Sequence, residues 1–162
     1  MCALQIKAFD QTDRKLFETF LRLPKKLYHE DPYWVPEVIV DRRNIHNPKK
    51  NPELRPMTRK MFLAYRDGEP VGRITGHINP RHNETHEEDV GFFGFFDCED
   101  DQGAANELFT AAEKFCAEKG MTVLRGPANY SSNAEWGMFF FFNDTATTAI
   151  YTTYHPRYAT WL

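Results

Sequence analysis

Val90-Gly91-Phe92-Phe93-Gly94-Phe95-Phe96 is the stretch on which the fold turns. Its large apolar side chains fall on both faces of any extended chain, so it predicts a strand covered on both sides, in the middle of a sheet. Gly91 and Gly94 within it predict a close backbone approach or a bulge. Downstream, Asp97-Cys98-Glu99-Asp100-Asp101 leads into a helix whose Ala105, Leu108, Phe109, Ala112, Phe115 and Cys116 form one stripe. Gly120 is placed to end that helix, and Lys114 and Lys119 lie near its negative end. Thr122 to Leu124 then reads as a further buried strand, stopped by Gly126-Pro127. Phe92, Phe93, Phe95, Phe96, Leu108, Phe109, Phe115 and Val123 are the expected core positions, because both periods point them inward.

Upstream of the central stretch, Met61 to Tyr65 and Val71 to Ile78 flank Asp67-Gly68 and predict a β-hairpin, since positive φ is cheap at that turn. A polar loop is expected from Asn79 to Asp89. At the start of the chain, Leu4 to Phe9 alternates as a first strand. An N-cap at Asp10 or Thr12 follows, then a helix carrying Leu16, Phe17, Phe20, Leu21 and Leu27, with Pro24 expected to kink or end it near Leu23. From Tyr28 to Pro56, Pro, Asn and Lys mark a long connection with a short helix near Val38 to Ile45, of the kind that lines sites. Tyr33 and Trp34 are expected to staple this connection to the core.

A chain of 162 residues with 27% charged and 41% hydrophobic side chains fits one globular domain and is too short for two ordinary cores. The net charge of −3 supplies no global field for phosphodiester backbones, so no nucleic-acid partner is expected. No apolar run approaches the roughly 20 residues of a membrane span, and the start turns charged too soon for a signal peptide. The expectation is a cytoplasmic protein with no membrane partner. Cys2, Cys98 and Cys116 are odd in number and widely spaced, which argues for plain thiols over a disulfide or zinc framework.

The order strand, helix, loop, hairpin, central strand, helix, strand resembles the Gcn5-related N-acetyltransferase superfamily. The wording of Val71-Gly72-Arg73-Ile74, of Arg125-Gly126-Pro127-Ala128-Asn129-Tyr130-Ser131 and of Asn133-Ala134-Glu135-Trp136-Gly137 is similar to an uncharacterised bacterial N-acetyltransferase-like family within it. The resemblance covers most of residues 1–138 and implies an α/β class with a mixed sheet: an acyl-CoA N-acyltransferase-like fold, incomplete because such family members run to about twice this length. It implies acetyl-CoA or another acyl-CoA as co-substrate of the parent protein and a small-molecule amine as its acceptor. By the resemblance, Phe95, Phe96 and Asp97 border the gap that holds the thioester, and Gly103, Ala104 and Ala105 occupy the place of the pyrophosphate loop. That loop is usually basic and glycine-rich, so that backbone N–H groups and the helix dipole hold the phosphates. Here Glu99, Asp100 and Asp101 stand where cations or amides are wanted, so no cofactor is expected to bind this fragment tightly. Two hypotheses follow. The parent is an acyl-CoA-dependent N-acyltransferase of which this chain is an inactive fragment, or this half is a non-catalytic lobe or binding module of a tandem acyltransferase-like protein.

From Phe139 onward the wording changes. Asp144 and Arg157 are the only charged residues, and Phe139-Phe140-Phe141-Phe142 would place large apolar groups on both faces of a strand. A buried strand with a polar loop is one reading. The other is that Asn143-Asp144-Thr145-Ala146-Thr147-Thr148, continued by Ile150-Tyr151-Thr152, resembles a translated sequencing adaptor, with the Phe run as a translated thymidine homopolymer. The expected division is therefore a partial N-acyltransferase-like domain over 1–138 and a non-native tail without functional sites over 139–162.

Other motifs carry less. His82 and His86 are four apart, yet Glu84 does not sit as in H-E-x-x-H, so a solvated turn is expected and no metal site. His77 is read as a half-exposed strand histidine, able to act as a base only if it faced a cleft. No catalytic residue is assigned by spacing.

Overall fold

The computed structural model describes residues 4–130. Strands β1 (Leu4–Phe9), β2 (Thr58–Arg66), β3 (Glu69–Ile78), β4 (Val90–Cys98) and β5 (Val123–Arg125) form one mixed sheet in the order β1-β2-β3-β4-β5. All neighbours are antiparallel except β4 and β5, which run parallel. The expected hairpin is β2–β3, and the glycine-containing apolar stretch is β4, between β3 and β5.

Helices α1 (Arg14–Leu27), α2 (Ile39–His46), α3 (Pro80–His86) and α4 (Gln102–Ala117) accompany the sheet. The alternation of β2 shows why both faces need cover. Phe62 and Ala64 pack with Ile74, Phe93, Leu108, Phe109 and Ala112 under α4. Met61 and Leu63 pack with Phe9, Phe20, Leu21 and Leu23 under α1. Each such Leu or Phe contributes about 1.5–3 kcal/mol when fully removed from water.

Several local expectations are corrected. Asp13, rather than Asp10 or Thr12, caps α1 by accepting from the Leu16 N–H at 3.1 Å. Pro24 does not end α1, which continues to Leu27. Proline removes the N–H that would reach the carbonyl four residues back. That carbonyl, on Phe20, instead accepts from Nη1 of Arg73 on β3 at 2.8 Å. The expected loop after Asn79 contains α3, started by Asn79 as N-cap with Pro80 in the first turn. Val123 is 41% exposed rather than core, because β5 is the outermost described strand. Phe96 and Phe115 are half-buried, and the other expected core positions are buried. The domain boundary at 138, the run from Phe139 and the Asn133–Gly137 wording lie outside the described residues.

Candidate functional site

Strand β4 does not stay regular. Its register with β3 shifts between Arg73 and Thr75, and opposite this Phe95 takes φ 48°, a left-handed conformation costly for a bulky residue. At the same point β4 and β5 part. Their parallel pairing covers Val90 to Phe92 against Val123 to Arg125, after which the chain turns through Gly126-Pro127. The departing segment still touches β4. The Ala128 N–H donates to the Phe93 carbonyl at 2.8 Å, and the Phe95 N–H donates to Oδ1 of Asn129 at 2.9 Å. Gly94 permits this approach, since a Cβ there would stand 2.1 Å from the Ala128 carbonyl oxygen.

A cavity of about 170 Å³ opens beside the bulge. Phe93, Phe95 and Phe96 of β4 form one wall, and Tyr28, Trp34 and Glu37 of the α1–α2 connection form the other. Arg73, Asp97 and Arg42 also line it. Asp97 is held from two sides: Nε of Arg73 donates to Oδ2 at 2.7 Å and the Tyr28 hydroxyl donates to Oδ1 at 2.8 Å. Glu37 and Arg42 form a second ion pair. The cavity is thus lined by aromatic rings together with two internally neutralised charge pairs.

The sequence candidates divide into two groups. Phe95, Phe96 and Asp97 meet at the cavity. Gly103, Ala104 and Ala105 lie in the first turn of α4, where Ala104 and Ala105 are buried. The N-terminus of α4 is closed by its own cap, since Asp101 Oδ1 accepts from the Ala104 N–H at 3.0 Å and the same carboxylate accepts from Gly103. Asp101 is also paired with Arg66, whose Nε donates at 2.6 Å. Those contacts hold its carboxyl below the usual range, the backbone bond from Ala104 being the largest cause. Asp101 therefore does not act as a free third carboxylate beside Glu99 and Asp100. Cys98 and Cys116 have thiols pushed up to about 12 by burial, as expected of unreactive cysteines.

Sequence reasoning misjudged the histidines. His77 is fully buried, stacked on Phe92 with ring centroids 5.8 Å apart, and stands edge-on to Tyr130 at 5.1 Å. His46 is buried too, and its Nδ1 shares a 2.6 Å hydrogen bond with the Tyr130 hydroxyl. Burial lowers both imidazoles to about 3, so both are neutral near pH 7. His46 Nε2, both His77 ring nitrogens and Nη1 of Arg59 are buried without a hydrogen-bond partner among the described residues. All three side chains surround the Tyr130 ring. Nothing in the hydropathy of β3 marked His77 as interior. His82 and His86 lie one helical turn apart on α3, with ring centroids 4.5 Å apart. His82 Nε2 is 3.1 Å from Glu88, which two Arg125 nitrogens also engage, and no metal-binding group of three occurs among the described residues.

No family model matches the chain. It is 34% identical over 142 residues to Protein YghO of Escherichia coli K12, covering 88% of this chain and 36% of that protein. It is 36% identical over 127 residues to the bacterial ceramide synthase of Caulobacter vibrioides, covering 78% of this chain and 33% of that protein. The chain thus spans about a third of the length of these curated relatives. Among solved structures, a tandem GNAT protein from the clavulanic acid biosynthesis pathway aligns with TM-score 0.60 and 13% identity, over 93% of this chain and 42% of that one. An aminoglycoside acetyltransferase from an uncultured soil metagenomic sample, in complex with sisomicin, aligns with TM-score 0.53 and 17% identity, over 87% and 95%. The aminoglycoside N-acetyltransferase AAC(6')-Iy in complex with CoA aligns with TM-score 0.52 and 18% identity, over 90% and 97%. With its bulged central strand, parting β4–β5 pair and α4-covered sheet, the chain has the fold of the Gcn5-related N-acetyltransferases.

Proposed function

We propose that the protein belongs to an N-acyltransferase that moves an acyl group from acyl-CoA to an amine, and that residues 4–130 supply the amine side of its reaction cleft. The observation that carries this is the cavity at the Phe95 bulge, bounded by Phe95, Phe96 and Asp97 where β4 and β5 separate. The relative named as a ceramide synthase supports the reaction class, ceramides being amides. In the transfer the amine nitrogen attacks the thioester carbonyl carbon, the C–S bond breaks, CoA leaves as its thiol and the amine loses one proton. The cavity's contribution is to orient the amine and exclude water from it. Asp97, fixed by Arg73 and Tyr28, offers its remaining lone pairs to an amine N–H.

A second reading, that this lobe holds no CoA and is non-catalytic by itself, is favoured by the N-terminus of α4. Gly103 and Ala104 would serve a pyrophosphate only after Asp101 released their N–H groups. Glu99 and Asp100, both exposed, add repulsion of about 0.5 kcal/mol for each pair of charges about 8 Å apart in water-like dielectric, or about 2 kcal/mol against two phosphate charges before screening. The Phe95 N–H, a donor suited to a thioester oxygen, is already given to Asn129.

Two measurements test these readings. Calorimetric titration of acetyl-CoA into the chain is expected to show no saturable binding at micromolar concentrations; such binding would show that Asp101 yields and that this lobe is the donor site. Thiol release from acetyl- to palmitoyl-CoA, measured on the chain fused to the remaining length of its E. coli relative, is expected to depend on added amine. Absence of release with every amine and acyl chain would sink the transferase reading.

A further inference from the structure

The cavity takes its walls from two separate parts of the chain, β4 on one side and the α1–α2 connection with Arg42 of α2 on the other, and His46 touches both parts. His46 ends α2 and is fully buried. Its ring stands edge-on to Phe17 and Phe20 of α1, with centroids 5.6 and 5.7 Å apart, and lies 4.6 Å from the ring of Phe95 at the bulge. Its Nδ1 shares the short hydrogen bond with the Tyr130 hydroxyl. The rest of α2 is held less firmly. It has no side-chain hydrogen bond at its N-cap, Ile45 is only partly buried, and Arg43 reaches α1 through a partly exposed ion pair with Glu18.

An imidazole is a costly anchor for this place. An apolar side chain would leave no nitrogen unpaired, whereas Nε2 of His46 has no hydrogen-bond partner. The charges that act on the ring are all of one sign: Arg73, Arg59 and Arg42 each disfavour a proton on it. Their own partners are Asp97, the Gln11 amide and Glu37, and no carboxylate among the described residues hydrogen-bonds the imidazole. The other titratable groups at the site are the Tyr130 hydroxyl, which burial pushes up, and His77 beyond the Tyr130 ring, which burial keeps neutral. Closed packing therefore tolerates neutral His46 and rejects the cation. We infer that His46 positions the two cavity walls against each other, and that its protonation in mild acid releases α2 and the connection while the sheet stays folded. This goes beyond the proposed N-acyl transfer and holds whatever molecule the cavity takes.

Burial, with the three arginines behind it, lowers His46 to about 3 in the closed state, and a released imidazole returns to its ordinary value of about 6.5. The closed value is the depressed one, so the closed state is fully favoured above about pH 6.5 and loses ground below it as the open state takes up the proton. One such proton raises the open fraction about tenfold between about pH 7.5 and 5.5. Glu18 does not supply this dependence, because its hydrogen bond from Arg43 holds its carboxyl below the ordinary range and the pair stays ionised. The experiment follows amide hydrogen exchange of the whole chain across that pH range, corrected for the intrinsic rate at each pH. Amides of α2, among them Arg42 and its C-cap Asn47, should exchange faster than those of α4 at every pH and lose about tenfold in protection. His46→Phe should abolish the pH dependence in α2, with His46→Leu as the second variant should the larger ring not fit, and His77→Phe should leave it in place. Exchange of α2 only together with α4, protection in α2 that does not change with pH, a dependence that survives loss of His46, or one that His77→Phe removes would each overturn the inference.

Discussion

Replacing Arg73 by Met should destabilise the fold far more than a single ion pair at the surface would. Arg73 is 5% exposed and does three things at once. Its Nε donates to Asp97, its Nη1 donates to the Phe20 carbonyl left open by Pro24, and its guanidinium lies 4.9 Å over the Phe20 ring. Without it, Asp97, whose side chain is 18% exposed, keeps the Tyr28 hydroxyl but loses its counter-charge. Breaking a buried pair from one side costs about 3–5 kcal/mol, and an orphaned carbonyl about 1–3 kcal/mol more, though the two overlap. A loss of about 4 kcal/mol is the expected result, read from urea unfolding at constant m-value. Pro24→Ala provides a control, since it restores an N–H that can reach the Phe20 carbonyl. In the Arg73→Met background it should recover about 1 kcal/mol more than it adds to the wild type, a coupling read from the double-mutant cycle. A loss under about 1 kcal/mol for Arg73→Met would refute the claim that this side chain ties α1 to β4.

Other expected outcomes rest on separate contacts. His46 and His77 are lowered to about 3 by burial, against an ordinary value of 6.5, so the unfolded chain binds protons first. Stability should be flat above about pH 6.5 and fall below it by up to about 1.4 kcal/mol per pH unit for each histidine. His77→Phe should flatten that slope in urea titrations between pH 7 and 5, with little loss at pH 7, because it also removes two unsatisfied nitrogens. Asp101→Ala should cost about 1 kcal/mol through loss of the α4 cap. With the folded carboxyl below its ordinary value, the cap's contribution is present above about pH 4 and fades as pH falls through the lowered value, so wild type and variant should converge in acid. Gly94→Ala drives a Cβ to 2.1 Å from the Ala128 carbonyl oxygen, and should lower the melting temperature by more than about 8 °C, the shift expected for a loss of about 2–4 kcal/mol in a domain of this size.

Hydropathy patterning determined the strands, the long helix and the interior place of Val90–Phe96 between two neighbours, and Asp67-Gly68 the hairpin turn, because each is a local signal that needs no distant partner. Family wording singled out Phe95, Phe96 and Asp97, and the fold lines one cavity with all three. Residues distant in sequence decided the rest. Pro24 reads as a helix end until Arg73, 49 positions on, supplies a partner for the Phe20 carbonyl. Asp101 reads as a repelling charge until Arg66 and the α4 backbone occupy its oxygens. His77 reads as a half-exposed strand histidine until Phe92 and Tyr130 close over it. A hydropathy pattern records which face a residue prefers, but whether a carbonyl, carboxylate or imidazole finds its partner depends on chain crossings that only the folded sheet brings together.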